Sequence, residues 1–297
     1  MKEYFAKVLS EEKYRLGESP CFDTRYQRLS WVDILEGRLY TLSPDGKRDC
    51  VSFDQEIGAA VPLERSDGFL VAGRYGLYVA EKGKQELLYD LTQEYTAFQR
   101  SNDAKADPAG RLWFGSSVAD EEHTPDGNLY CFERNTLRCM QSKTKISNGM
   151  AWSRDGKKFF FSDSLSYAVF EYDYDIENGC ISNRKVLFEV EDGVPDGMCI
   201  DENDNLWVAI WGGNRIEQHS TLNGEKLAKI HVPAEHVSSC CFSGEHLDTL
   251  TITTAGEGLS GKYDGCLFTC RVDSKGKKPD LAKIDWRVRE NDELSDH

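Results

Sequence analysis

Apolar and polar residues alternate along most of the chain in short runs, and Gly, Asp and Asn turns cut the runs apart. Apolar positions spaced by three and four, the mark of an amphipathic helix, are not sustained over any long stretch. The pattern predicts strands. Six runs look alike: RLSWVDI, GFLVAGR, RLWFGSS, KFFFSDS, NLWVAIW and TLTITTA. Each leads through a turn into a second run: GRLYTL, GLYVAE, GNLYCFE, AVFEYDY, NRIEQHS and GCLFTCR.

The runs recur at nearly one period. With Trp31, Leu70, Trp113, Phe160, Trp207 and Leu250 as anchors, the successive gaps are 39, 43, 47, 47 and 43 residues. A strand-built repeat of roughly 40 to 50 residues is the mark of propeller blades. The expected fold is therefore all-β, a six-bladed β-propeller with a central metal-binding channel. It would be one domain over residues 1–297, with repeats from about 10 to 270 and a polar tail from about 287. The first strand offers one way to complete the last blade and close the ring. A β-sandwich or jelly roll is the alternative, but neither predicts six similar units.

Eleven to thirteen residues before four of the anchors stand Glu18, Asn102, Asn148 and Asp196. Each belongs to a short segment expected to enter the innermost strand of its blade. Equivalent slots in a propeller converge on one end of the axis. Two carboxylates drawn together in a partly dry channel repel unless something positive joins them. A divalent cation fits: Glu18 and Asp196 supply anionic oxygen and Asn148 a neutral amide oxygen, leaving positions open for water and substrate. Taken singly, Asn148-Gly149 and Asp196-Gly197 are also turn dipeptides, and Glu18 could cap a turn. Their shared repeat phase favours the site.

Composition narrows the function. Acidic residues outnumber basic ones 51 to 36, giving a net charge of −15 that opposes binding to phosphate backbones. No apolar run approaches the roughly 20 residues that span a bilayer. Ten Cys without metal-ligand spacing predict reduced, mostly buried thiols in a cytoplasmic protein. The sequence Gly256 to Gly261 spells G-x-G-x-x-G but leads into another strand, so a loop is expected. Asp173 to Gly179 is expected to be a hairpin turn. The Trp residues at 31, 113 and 207 are expected as matched core anchors; for Trp211 a place in the pocket wall is the less favoured of its readings.

The segments RLGESP, SNDAKADPAGRLWFG, ISNGMAWS, DSLSYAVFEYDYD, VPDGMCIDENDNLWVAIWGG and SSCCFSG carry a family likeness. Over about residues 10 to 270 the chain resembles the senescence marker protein, gluconolactonase and luciferin-regenerating enzyme family. The resemblance implies a six-bladed propeller with one divalent metal in its channel, and hydrolysis of sugar lactones. It implies Glu18, Asn148 and Asp196 as metal ligands, with Asp196 also the general base. It implies Arg100 and Asn102 as substrate contacts, and an acidic loop residue aligned with Asp120, or with Glu121 after a slip of one. The cofactor expected is calcium or zinc first, magnesium or manganese after them. Two departures stand out: Ala104 replaces a usual Gly, and the loop ADEEHTPDGN is short for the family.

The leading function is a metal-dependent lactonase acting on a small-molecule lactone or ester. It calls for no nucleic acid and no membrane, and for a monomer or small homo-oligomer. An arylesterase or phosphotriesterase on the same site is the runner-up. A non-catalytic calcium-binding or interaction propeller is the third reading.

Overall fold

Runs rich in aromatic and β-branched residues become strands because a pleated surface accommodates their stiff side chains. The computed structural model describes residues 1–118, 123, 124 and 126–284. Among them the only helical element is a single 3₁₀ turn, Ser164–Ser166. The expected polar tail lies outside the described residues.

Four antiparallel sheets of four strands follow one another along the chain. Their first strands are Gly17–Asp23, Ile57–Pro62, Gln99–Ala106 and Ser147–Trp152. A fifth, larger sheet holds two further four-stranded units. One runs from Val194–Ile200 through Asn205–Trp211 and Arg215–Ser220 to Lys226–His231. The other runs from His236–Ser243 through Thr249–Ala255 and Leu267–Arg271 to Lys7–Ser10. A single residue pair, Trp211 with His236, joins the two. The early strand thus completes the last unit, as the repeat arithmetic allowed. Lys2–Phe5 adds a parallel edge strand to Lys226–His231.

The first strand of every unit carries a bulge, which falls at Asn102, Asn148 and Asp196 as the slots predict but just after Glu18 in the first unit. Ser19 and Pro20 together face Trp31, because Glu18 pairs with Val32 and Cys21 with Ser30. By the same count Asn102 and Asp103 face Gly115, Asn148 and Gly149 face Ser162, and Asp196 and Gly197 face Ala209. In the other two units the extra residues are Gly58 and Ser238. A bulge bends the strand and re-aims its side chains, which suits it to a site wall. Ser19 accepts the left-handed region (φ 49°) that this bend requires.

Consecutive bulges touch in a closed circuit. The Ala60 N–H donates to Ser19 Oγ at 3.4 Å, and the Asn102 amide donates to the Ser147 carbonyl at 3.0 Å. The Ser238 hydroxyl donates to the Gly17 carbonyl at 2.5 Å. The remaining junctions rely on glycine. A Cβ on Gly58 would overlap the Asn102 carbonyl, one on Gly149 the Asp196 carbonyl, and one on Gly197 the Ser239 side chain. Missing Cβ atoms let these backbones approach.

All six anchors are buried. Trp113 and Trp207 are matched: each stands two residues before the position facing its bulge, and each indole N–H donates to an aspartate, Asp107 or Asp201. Trp31 is not their equivalent. It faces the bulge itself, Leu29 takes the matched place, and its indole N–H has no protein partner. Trp31 stays in the core because two residues along a strand keep the same face, and it stacks on Tyr40 with centroids 5.6 Å apart.

A cavity of about 110 Å³ lies between the inner strands, with Ser19, Asp103, Lys105, Trp152, Cys199 and Phe242 on its walls. The segment from Lys277 to Asp280 also borders it. Around it the chain hydrogen-bonds to Leu247 and Ile200 through Gly276 and Lys277, and to Pro62 and Gly110 through Ala282 and Lys283. This strap ties the last units to the second and third sheets.

All ten Cys are free thiols. Cys131, Cys240, Cys266 and Cys270 are buried, Cys21, Cys199 and Cys241 half-buried, and Cys50, Cys139 and Cys180 exposed, so the expectation of mostly buried thiols holds only in part: the exposed three stand on strands with outward-facing residues at the sheet margins. No helix among the described residues is long and apolar enough to cross a membrane. The Gly256–Gly261 segment is a loop and Asp175 closes a hairpin turn, both as expected.

Candidate active site

The bulges bring Glu18, Asn102, Asp103, Asn148 and Asp196 toward one region, and all five side chains are buried. Asn148 donates from its amide to Ser164 Oγ at 3.1 Å, and Ser164 donates to the Pro195 carbonyl at 2.7 Å. That relay fixes the amide's orientation and ties it to the residue before Asp196. Asn148 Oδ1 and Asp196 Oδ1 are both buried and find no protein partner. Glu18 accepts the Ser19 N–H at 3.0 Å.

The buried acids act on one another electrostatically. Burial, with the charge of Asp103 added, pushes the Glu18 carboxyl up to about 8, against the Ser19 N–H, Arg100 and Lys105. Burial also raises Asp196 well above the usual carboxylate range, reinforced by the charges of Glu18 and Asp103. Asp103 is raised by burial and partly offset by Lys105. Glu18 and Asp196 therefore feel each other as like charges in a poorly solvated place, an arrangement that favours protons or a cation between them. Among the described residues no three His, Cys, Asp or Glu side chains gather closely enough to hold a metal by themselves. An ion here needs the Asn148 amide oxygen beside the carboxylates, and that mixed oxygen set suits a hard divalent cation.

Arg100 lies along one flank. Its Nη1 donates to Asn102 Oδ1 at 2.7 Å and to the Ser101 carbonyl at 3.0 Å. Burial lowers its pKa, while Glu56, Glu18 and Asp196 support its charge and Arg74 opposes it. Asn102 is held at both ends, by Arg100 and by the Ser147 carbonyl.

Asp120 and Glu121 lie outside the described residues. Trp211 is partly exposed and stacks on His236 with centroids 4.1 Å apart. Ala104 pairs with Phe114 in extended conformation, outside the left-handed region, so its Cβ is accommodated at the position where the resemblance implied Gly. Sequence reasoning missed Ser164, Lys105, Glu56 and Arg74. Ser164 lies within the family-like DSLSYAVFEYDYD segment and Lys105 within SNDAKADPAGRLWFG, which could have pointed to them. Glu56 and Arg74 have no repeat signal.

The model of the SMP-30/gluconolactonase/LRE-like region matches residues 16–256. The chain belongs to that family. Regucalcin of Gallus gallus is 33% identical over 269 residues, covering 86% of this chain and 89% of that protein. The pentonolactonase XacC of Haloferax volcanii is 34% identical over 281 residues, covering 89% and 93%. Among solved structures, a luciferin-regenerating enzyme superposes with a TM-score of 0.89 at 32% identity, covering 95% of this chain and 100% of that one. Family members are thus named as lactonases, and their likeness to this chain supports lactone hydrolysis in general.

Proposed function

We propose that this protein is a divalent-metal-dependent lactonase acting on sugar lactones, and that its six four-stranded units form one propeller ring around the site. One observation carries the reading: two buried, mutually repelling carboxylates, Glu18 and Asp196, share a site with the partnerless amide oxygen of Asn148. These three residues would hold the ion, calcium or zinc before magnesium or manganese. When bound, such an ion would supply a Lewis acid for the lactone carbonyl and lower the pKa of a nearby water.

The chain's own residues do the rest. Asp196 accepts the proton of the attacking water at its free Oδ1. Water oxygen bonds to the carbonyl carbon, the ring C–O bond breaks, and the ring oxygen leaves as a hydroxyl carrying the proton returned by Asp196. Arg100 and Asn102, locked to each other, present hydrogen-bonding groups to the substrate's oxygens. Because Asn102 is already oriented by Ser147, little side-chain freedom is lost on binding. Burial of the carboxylates keeps bulk water from screening these interactions. The ten free thiols support a reducing, cytoplasmic setting.

The test is a metal-stripped sample assayed for acid release from gluconolactone as each divalent ion is restored in turn. Turnover should return only with an ion present. Equal hydrolysis in excess chelator overturns the reading. Binding to the folded state should also raise the melting temperature, by roughly 2.7 kcal/mol of added stability at a hundredfold excess over Kd.

A further inference from the structure

Where the inner strands Val194–Ile200 and His236–Ser243 lie side by side, two thiols meet. Cys199 and Cys240 hold the same place in the repeat. Each stands one residue beyond the first pair after its bulge, Cys199 opposite Trp207 and Cys240 opposite Ile252. Their sulfurs lie 3.6 Å apart. The Cys240 thiol also donates to the Trp207 carbonyl at 3.4 Å, on the strand that pairs with Cys199. Cys240 is thereby held against the neighbouring unit, beside Cys199.

The two sulfurs differ in access. Cys199 is half-buried and borders the cavity of about 110 Å³, whereas Cys240 is buried and forms no part of its wall. That volume has room for roughly three water-sized molecules. Hydrogen peroxide is little larger than water, so the cavity offers it Cys199 and not Cys240. The pair also stands close to the candidate site along the backbone. Cys199 is three residues beyond Asp196 on one strand. Ser239, next to Cys240, is the side chain that a Cβ on Gly197 would overlap. A disulfide holds its sulfurs about 2 Å apart, so bonding draws together two strands that already touch beside Asp196.

We infer that Cys199 and Cys240 are a latent disulfide site: sustained peroxide joins them across the two units, and the bond displaces the bulge that carries Asp196. First the Cys199 sulfur attacks one peroxide oxygen, the O–O bond breaks, and Cys199 becomes a sulfenic acid as water leaves. Then the Cys240 sulfur attacks the Cys199 sulfur and the S–O bond breaks. The Cys240 proton leaves with that oxygen as a second water. The two thiols give up two electrons and peroxide takes them. Burial, with the contact to Cys240, raises the Cys199 thiol well above its ordinary value, and Lys105 offsets part of this. Thiolate is therefore scarce, and the pair answers to prolonged oxidant and not to a brief pulse. In a reducing setting it rests as thiols. The crosslink does not depend on the lactonase reading.

The test uses the full chain with the exposed Cys50, Cys139 and Cys180 changed to Ser, which removes surface oxidation from the result. The folded protein is kept in excess hydrogen peroxide for hours, quenched, alkylated in denaturant and mapped by mass spectrometry. The expected main product is a Cys199–Cys240 crosslink, lighter by the two thiol hydrogens and reversed by dithiothreitol. Cys240→Ala should leave a sulfenic acid on Cys199 that dimedone traps, and Cys199→Ala should leave Cys240 a thiol. Free thiols at both positions overturn the inference, as do crosslinks from Cys199 to Cys21 or Cys241, which also border the cavity. Dimedone on Cys240 in Cys199→Ala overturns the order of attack. Gluconolactone hydrolysis by the crosslinked protein should fall roughly tenfold and return with dithiothreitol, while Cys199→Ala should not respond to peroxide. Full turnover with the crosslink in place overturns the effect on Asp196. If the reduced protein opens no lactone, the lactonase reading falls and the crosslink is still decided by mass.

Discussion

Gly149→Ala tests both the ring contacts and the site in one substitution. A Cβ there would lie 2.5 Å from the Asp196 carbonyl oxygen, 2.7 Å from the Met198 nitrogen and 3.0 Å from the Gly197 carbonyl carbon. Ordinary contact begins near 3.4 Å, so the Asp196 backbone must retreat by about 0.9 Å, the difference of the two distances. All three obstacles are backbone atoms, and no flexible side chain can swing away. Overpacking of this kind costs about 2 to 3 kcal/mol. In a chain of this size that lowers the melting temperature by roughly 3 to 5 °C. The displaced carbonyl belongs to the proposed base, and a shift near 1 Å at a reacting group can cost roughly a hundredfold in turnover. The assays are thermal unfolding followed by circular dichroism and acid release from gluconolactone. Gly244→Ala is the control. Gly244 has φ +81° but open space around its Cβ position, so only backbone strain of about 1 kcal/mol is expected, with turnover intact. A Gly149→Ala protein that melts and turns over like the parent would refute the described contact between neighbouring bulges.

Four further outcomes are expected. Glu18→Gln and Asp196→Asn should each weaken divalent-ion binding in calorimetry by more than tenfold, and Asp196→Asn should abolish turnover; unchanged affinity removes the residue from the ligand set. Asp103→Ala should spare ion binding, since Asp103 faces the cavity beside Lys105, and a loss as large as that of Glu18→Gln would add it to the ligands. Asp107 accepts the Trp113 indole at 2.9 Å and the Tyr174 hydroxyl at 2.6 Å and pairs with Arg111 at 3.2 Å. Asp107→Ala should therefore cost about 3 to 5 kcal/mol in urea unfolding, and a loss below about 1 kcal/mol would count against that network. Burial alone would raise Glu217, but hydrogen bonds from His219, Lys226 and Arg215 outweigh it and hold the carboxyl at about 2, below its ordinary 4.5. A depressed folded-state pKa means stability that is full above 4.5 and lost as the pH falls toward 2. Glu217→Gln should remove up to about 3 kcal/mol of that acid dependence, and identical pH–stability curves for parent and variant would contradict it.

The repeat was legible in the sequence because strands with one buried face and sharp turns leave a period that no tertiary information is needed to see. Leu70, Phe160 and Leu250 are buried where the period places them. Trp31 misled because alternation has a period of two, so a residue shifted by two keeps its face and its apolar character while losing its equivalence. The polar slots were found by phase, but the cause of their convergence was hidden. A bulge is a mismatch between two paired strands, and one strand's sequence does not show what its partner skips. Gly149 and Gly197 looked like turn residues and serve instead, with Gly58, as places where adjacent backbones meet. Arg74 and Glu56 were invisible because they lie in turns that no other unit repeats, and such irregular turns are where one family member differs from the next. The strap from Gly276 to Lys283 has no periodicity, and it is held by backbone hydrogen bonds that any side chain permits.

Lys7–Ser10 pairs with Leu267–Arg271, matching Lys7 to Thr269 across nearly the whole polypeptide. Until those two segments meet, the hairpin before the strap presents a bare edge, and bare edges recruit strands from other molecules. Sealing that edge is thus a long-range event whose entropic cost grows only with the logarithm of the intervening length. During synthesis Lys7–Ser10 must wait, unpaired, for a partner made some 260 residues later. The protein's vulnerability to misassembly is therefore concentrated at this one clasp, and two chains exchanging their Lys7–Ser10 strands would be its natural mistake.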